Sequence, residues 1–175
     1  MLFYNIYLKD NSSLKNTNLK KDQIENEEPT DTDIIYNLEY ISEDKNGNEY
    51  VIGSEIGEID NNQLDLVLMK NVTAQIKLKN ASPIYISSIK AVYNKNNYNT
   101  EFFGDVSASY NDHFFTSGNL SLDFDENLVT IFNNVIYQNL NTNLQADRIE
   151  IDLITKNSII QMNDKSEKVK IITVN

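Results

Sequence analysis

The stretch Val72-Thr-Ala-Gln-Ile-Lys-Leu78 decides the fold. Val72, Ala74, Ile76 and Leu78 alternate one for one with Thr73, Gln75 and Lys77. Successive side chains of an extended chain point to opposite faces, so this period of two describes a half-buried strand, apolar inside and polar outside. The pattern recurs where Leu120, Leu122 and Phe124 interleave with Asn119, Ser121 and Asp123, and where Ile149, Ile151 and Leu153 interleave with Arg148, Glu150 and Asp152. No segment sustains the stripe of an amphipathic helix. Asn46-Gly47, between Tyr-rich runs, reads as a type I′ hairpin turn. Asn94–Asn99, Asn111-Asp112, Asp125–Asn127 and Lys156-Asn157 fall where further reversals are needed. Composition agrees: 10 Tyr and 7 Phe favour strands, and 27 asparagines suit many tight turns.

An internal recurrence organises these strands. Stepping 29 residues carries Ala91 to Leu120 and on to Ile149, Tyr93 to Leu122 and Ile151, Phe102 to Ile131 and Ile160, and Val106 to Val135. Each unit is read as a strand opening with Asn/Asp-Val (Asn71-Val72, Asp105-Val106, Asn134-Val135), then a strand such as Ser88–Asn94, then a short lead into the next unit. Stacked hairpins that share one continuous apolar face satisfy this pattern. The expected architecture is all-β: an antiparallel β-roll or β-jellyroll of repeated hairpin units, open along one side.

Several function classes fall away on composition. Fifteen Lys and Arg against 26 Asp and Glu leave a net charge of −11, which repels a phosphate backbone, so nucleic acid is not an expected partner. The chain has no cysteine, hence no thiolate nucleophile, disulfide or Cys-based metal site, although this does not locate it in either redox compartment. Its one histidine, His113, excludes any site that needs two imidazoles. A mean hydropathy of −0.46, with apolar residues interrupted throughout, excludes a bundle of membrane helices.

Met1–Leu8 is apolar apart from Asn5, too short to span a bilayer, and is read as the remnant of a longer N-terminal anchor. Residues 9–33 are Lys, Asn, Asp, Glu, Ser and Thr with isolated aliphatics and read as a flexible polar linker. The folded domain is expected over 34–175.

No catalytic constellation emerges, and the chain is expected not to be an enzyme. His113 beside Asp112 reads as a solvated turn residue without a nucleophile partner. Asp123, Asp125 and Asn127 imitate the start of a Ca²⁺ loop but lack its glycine and closing glutamate, so a hairpin reversal is the better reading. No metal or cofactor is expected, and no pair of carboxylates is placed in one cleft, as a carbohydrate-processing enzyme would need. What remains is the inner face: Val72, Ala74, Ile76, Leu78, Ala91, Tyr93, Phe102, Val106, Ala108, Leu120, Leu122, Ile131, Val135, Ile149, Ile151 and Ile160. Pattern alone leaves two readings of it: a dry core, or a greasy groove that receives an acyl chain.

Tyr36-Asn-Leu-Glu-Tyr40, Asp44-Lys-Asn-Gly-Asn-Glu-Tyr-Val-Ile52 and Gly57-Glu-Ile59 resemble the opening of the periplasmic lipopolysaccharide-export bridge component LptC. Lys70–Ala74, Ile86–Asn94, Thr100–Val106 and Ala146–Asp152 resemble its repeated units. The resemblance runs from Ile34 to Val174. The related LptA has similar repeats, but the Asp44–Tyr50 opening favours LptC. The resemblance implies a β-jellyroll in the periplasm, associated with the inner membrane through an N-terminal helix of which only Met1–Leu8 has a counterpart here. It implies a carrier that passes lipid A acyl chains through its interior, with lipopolysaccharide, the inner-membrane lipopolysaccharide ABC transporter and an LptA-like bridge protein as partners. The sixteen inner-face residues would then bind lipid. The alternative is a dry β-roll scaffold that joins partners by edge-strand pairing.

Overall fold

The computed structural model describes residues 32–164 and 166–173. The expected anchor remnant and the linker up to residue 31 lie outside the described residues. The last two linker positions, Thr32 and Asp33, already belong to the first strand.

Ten strands form one antiparallel sheet: β1 (Thr32–Glu43), β2 (Glu49–Asp60), β3 (Leu66–Lys77), β4 (Ile84–Asn94), β5 (Thr100–Tyr110), β6 (His113–Asp123), β7 (Leu128–Gln138), β8 (Thr142–Asp152), β9 (Ser158–Gln161) and β10 (Lys170–Thr173). The first eight pair in sequence order. The far edge of β8 is shared, with β9 along Arg148–Ile151 and β10 along Thr142–Gln145. The described residues contain no helix, and the sheet does not close: β1 and the β9/β10 pair stand at opposite ends of the strand order. The all-β, open architecture is the one expected.

The 29-residue recurrence has a direct geometric meaning. Ala91 pairs with Phe102, Phe102 with Leu120, Leu120 with Ile131, Ile131 with Ile149 and Ile149 with Ile160, so the repeated positions make one row across six strands. A second row crosses the other halves of the strands: Tyr40, Ile52, Ala74, Ile86, Ala108, Phe115, Tyr137, Leu144 and Ile171.

Between the rows every long strand is interrupted, and here the structure corrects the sequence reading. Asn71-Val72, Asp105-Val106 and Asn134-Val135 do not open strands; they lie in the middle of β3, β5 and β7. Asn71 (φ 53°), Asp105 (φ 47°) and Asn134 (φ 60°) are left-handed, as are Gly104 (φ 77°), Asn133 (φ 68°) and, in β1, Asn37 (φ 53°). Asn and Asp tolerate this conformation better than other residues with a Cβ, because their short polar side chains bond locally. At Asn37 and Asn71 one pair is missing while the register is kept; from β4 onward the pairing slips, between Ser87 and Lys90, Phe103 and Val106, Thr116 and Asn119, and Phe132 and Val135. A bulge bends its strand and sharpens the local twist. The left-handed residue itself resets which side chains face inward: β3 buries Val67 and Met69 before Asn71, but Val72, Ala74 and Ile76 after it.

Aligned corners fold the sheet so that the two rows face each other. Tyr40 of the second row stacks on Tyr93, next to the first, with ring centroids 4.3 Å apart. Tyr50 packs on Phe124 at 4.9 Å, and its Oη donates to Asn127 Oδ1 at 3.1 Å across 77 residues of chain. Gly57 leaves room for Leu38, since a Cβ there would meet Leu38 Cδ2 and force that side-chain end to move.

The first hairpin differs from expectation. Gly47 N–H donates to Asp44 O and Asp44 N–H to Asn48 O, both at 3.0 Å, and Gly47 takes a φ of 82° while Asn46 stays out of the left-handed region. The reason is Asp44: its Oδ1 accepts from Asn46 N and Asn48 N at 2.9 Å each, which holds Lys45 and Asn46 in an ordinary turn and leaves the left-handed step to Gly47.

Candidate functional site: an apolar cavity between the folded halves

The two layers flank a half-open cavity of about 360 Å3 at the C-terminal end of the sheet. Its walls come from both rows. Ile86, Ala108, Phe115, Tyr137 and Leu144 line one side, and Leu120, Ile131, Ile149 and Ile160 the other. Ile84, Val129, Ile151, Leu153 and Leu78 complete the apolar lining, Leu78 alone coming from the part of the chain before β4.

Polar groups sit together around it. Tyr110, His113 and Tyr137 stack in series, His113 lying 6.3 Å from Tyr110 and 5.8 Å from Tyr137 between ring centroids. His113 Nδ1 is 2.7 Å from Tyr137 Oη, which accepts from Asn139 Nδ2 at 2.7 Å, so the phenol hydrogen is free to go to the imidazole. His113 is therefore a half-buried part of a polar rim rather than a turn residue with only solvent for company. Lys156 and Ser158 line the same cavity, and Lys156 Nζ donates to the Leu153 carbonyl. Burial pulls the Lys156 ammonium below its ordinary range, against the opposing pull of the Asp152 charge.

Of the sixteen inner-face residues, Leu78, Ala108, Leu120, Ile131, Ile149, Ile151 and Ile160 line the cavity. Val72, Ala74, Ile76, Ala91, Tyr93, Phe102, Val106, Leu122 and Val135 are buried but pack away from it. Ile160 departs from a simple inner-face position, being 39% exposed because β9 is a four-residue edge strand. Sequence reasoning missed Ile84, Ile86, Phe115, Val129, Tyr137, Leu144 and Leu153 as lining residues. Phe115, Tyr137 and Leu144 lie across the bulges from the repeat positions, so an alternation extended straight along the strand does not reach them. Tyr50, Ile52, Val67 and Met69, all core residues, precede the part of the chain in which the recurrence is visible.

The opposite end is shut. Tyr50 Oη also lies 3.3 Å from Asp44 Oδ2, which accepts from Asn48 Nδ2 at 2.8 Å, so Asp44, Tyr50 and Asn127 form a polar latch over the Tyr50–Phe124 contact. Burial opposes the charge on Asp44, but hydrogen bonds from Asn48 and Asn46 outweigh it and hold the carboxyl below its usual range. Burial, then the Asp44 charge, push the Tyr50 phenol far above its ordinary value. Burial raises Tyr93 as well, to about 12, with Tyr40 and Tyr98 adding to the effect. At the Asp123–Asn127 reversal, Asp123 Oδ1 accepts from Glu126 N at 3.1 Å and Asn127 Oδ1 is taken up by Tyr50. These contacts make it a hairpin turn that closes the latch.

No family model and no curated protein matches the chain. Among solved structures it is similar to LptH, the LptA-homologous periplasmic component of the lipopolysaccharide transport device of Pseudomonas aeruginosa, at 12% identity and a TM-score of 0.33, over 82% of this chain and 98% of that one. That protein is an LptA homologue, whereas the sequence resemblance favoured LptC.

Proposed function

We propose that the protein is a non-enzymatic lipid carrier in lipopolysaccharide export, whose folded sheet shelters acyl chains while the sugars stay in water. The observation that carries this reading is the apolar cavity between the two layers, with its polar rim of Tyr110, His113 and Tyr137. Each methylene moved from water into such a lining gains about 0.8 kcal/mol, enough to hold a chain without any covalent step. Directional movement then needs energy from another component. The Tyr36–Ile59 opening supports an LptC-like place in the bridge, receiving lipid from the inner-membrane transporter and passing it to an LptA-like partner in the periplasm.

The ends of the sheet suit the second half of that role. β1 is twelve residues long, pairs among the described residues only with β2, and exposes Ile34, Tyr36 and Ile41. An edge of this kind accepts a strand from another chain. The same edge is what favours the scaffold alternative, in which strand pairing is the whole function.

A photo-crosslinking residue at Leu120, which lines the cavity, should capture lipopolysaccharide while the export machine runs. The same probe at the neighbouring outward position Ser121 should capture little. Equal capture at both positions, or none at Leu120 in a protein that still supports export, would leave edge pairing as the function.

A further inference from the structure

The interior is not a passage of uniform bore. Every lining residue except Leu78 lies at or beyond Ile84. Ile76 pairs with the lining residue Ile84, Tyr50 pairs with Ile76 and packs on Phe124, and none of Ile76, Tyr50 and Phe124 is more than 8% exposed. The Tyr50 hydroxyl is held by Asp44 and Asn127, so the wall is fixed at its polar tip as well as by packing. A volume of about 360 Å3 holds roughly a dozen methylenes, if each takes about the 30 Å3 of a water molecule. Among the lining residues Lys156 carries the one ammonium, on a chain whose net charge is otherwise strongly negative.

From this we infer that the cavity is a blind site for a single acyl chain of about twelve carbons, stopped by the Tyr50–Phe124 wall, with an acidic headgroup held at the rim by Lys156. The inference rests on the lipid-carrier reading and deepens it: a lipid with several chains would seat them here one at a time. The lining explains the chain, because its aliphatic walls offer no hydrogen bond deep inside. Lys156 explains the preference in headgroup, because it is the one Lys or Arg among the lining residues, on a chain whose net negative charge otherwise disfavours an anion. The donors already in place at the rim, with Lys156 bound to the Leu153 carbonyl, keep the ammonium at the rim, where a headgroup sits, rather than out in solvent.

The test is a binding series on the full chain with straight-chain carboxylates of eight to eighteen carbons and with the alcohols of matching length. Affinity should rise about fourfold per methylene up to roughly twelve carbons and then level off. Carboxylates should bind more tightly than the matching alcohols. Lys156→Gln should remove that headgroup preference and leave alcohol binding unchanged, and Lys156→Arg should retain it. Phe124→Leu should move the plateau to longer chains. Ala108→Phe, which fills space rather than emptying it, should move the plateau to shorter chains, so the length limit remains testable if Phe124→Leu fails to fold. Affinity that keeps climbing to eighteen carbons would overturn the blind end, and identical binding of acids and alcohols would overturn the role of Lys156. Either result together with lipopolysaccharide crosslinks at Leu120 would sink this inference and leave the carrier reading intact. A clear plateau without those crosslinks would do the reverse.

Discussion

The two ends of the folded sheet share a backbone plan and differ in what fills it. At the N-terminal end the facing layers meet through Tyr40 on Tyr93 and Tyr50 on Phe124, with Tyr98 beside Phe124 in its own layer and Met69 and Phe102 both 0% exposed. At the C-terminal end the facing positions hold Ala108, Leu144, Ile131 and Ile149, which stop short of one another. Aromatic rings occur there too, but Phe115 packs against Tyr137 and Tyr137 is tied to His113 and Asn139, so they gather with the polar rim. Corners of the same kind thus give a packed core where large rings cross the gap and a cavity where aliphatic side chains do not. The difference lies in side-chain size at equivalent rows, not in topology.

The largest expected effect breaks the comparison most sharply. Ala91→Asp places a charge in the packed end, where it has neither water nor partner, and should cost several kcal/mol, a large part of a typical domain's stability. Ala108→Asp places the same charge on a cavity wall, where it keeps its hydration. It should leave most of the thermal stability in place while abolishing acyl-chain binding. Thermal melts of the two variants side by side measure the contrast; equal loss would mean that the cavity is dry and closed.

The corners common to both ends come next. Asn71→Val and Asn134→Val put a β-branched residue at a φ near +55° and should each cost on the order of 1–3 kcal/mol, whereas Asn71→Gly should be close to neutral. Denaturant titration distinguishes them, and a harmless Asn71→Val would remove the argument that left-handed residues set the fold line.

Asp44 and Tyr93, both at the packed end, open pH windows on opposite sides of neutrality. Asp44 is held below its unfolded value, so its contribution is present above about pH 4 and is lost as pH falls through the lower folded value. Asp44→Asn should flatten that acid limb. Tyr93 is raised to about 12, so its contribution is complete below an unfolded value of about 10 and is lost as pH rises from there through 12. Tyr93→Phe should weaken the alkaline loss of melting temperature. The smallest effect is at Ser54, whose buried Oγ finds no hydrogen-bond partner among the described residues. Ser54→Ala should raise stability by up to about 1 kcal/mol, read from the shift of the unfolding midpoint.

How far the sequence was legible follows from the same geometry. Alternation in Val72–Leu78 is a local property, and it reads correctly because the half-strand after the left-handed Asn71 runs without interruption. The Ala91–Leu120–Ile149 recurrence is legible because each hairpin returns the chain to the same row. The corners were not, because Asn71-Val72 in mid-strand and Asn-Val at a strand opening look alike as letters; only the left-handed φ at Asn71 tells them apart. The division of the inner face was hidden for another reason. Ala91 and Ala108 are both small and both inward, and whether a small inward residue faces a ring or a void depends on what the opposite layer brings to it. Ala108 and Leu144 belong to one row, while Leu120 and Ile149 across the cavity belong to the other, and no spacing along the chain encodes the distance between the two rows.

The most direct measurement of the two-ended interior uses alanine methyl groups as reporters. Five alanines occur in the chain, among them Ala91 at the packed end and Ala108 on the cavity wall. With alanine methyls isotopically labelled, titration with dodecanoate should shift the Ala108 resonance and give through-space contacts from its methyl to the chain, while Ala91 stays where it was. Contacts to Ala91 as strong as those to Ala108 would show that the interior is one continuous path. No change at either methyl, with dodecanoate in large excess, would show that it takes no chain at all.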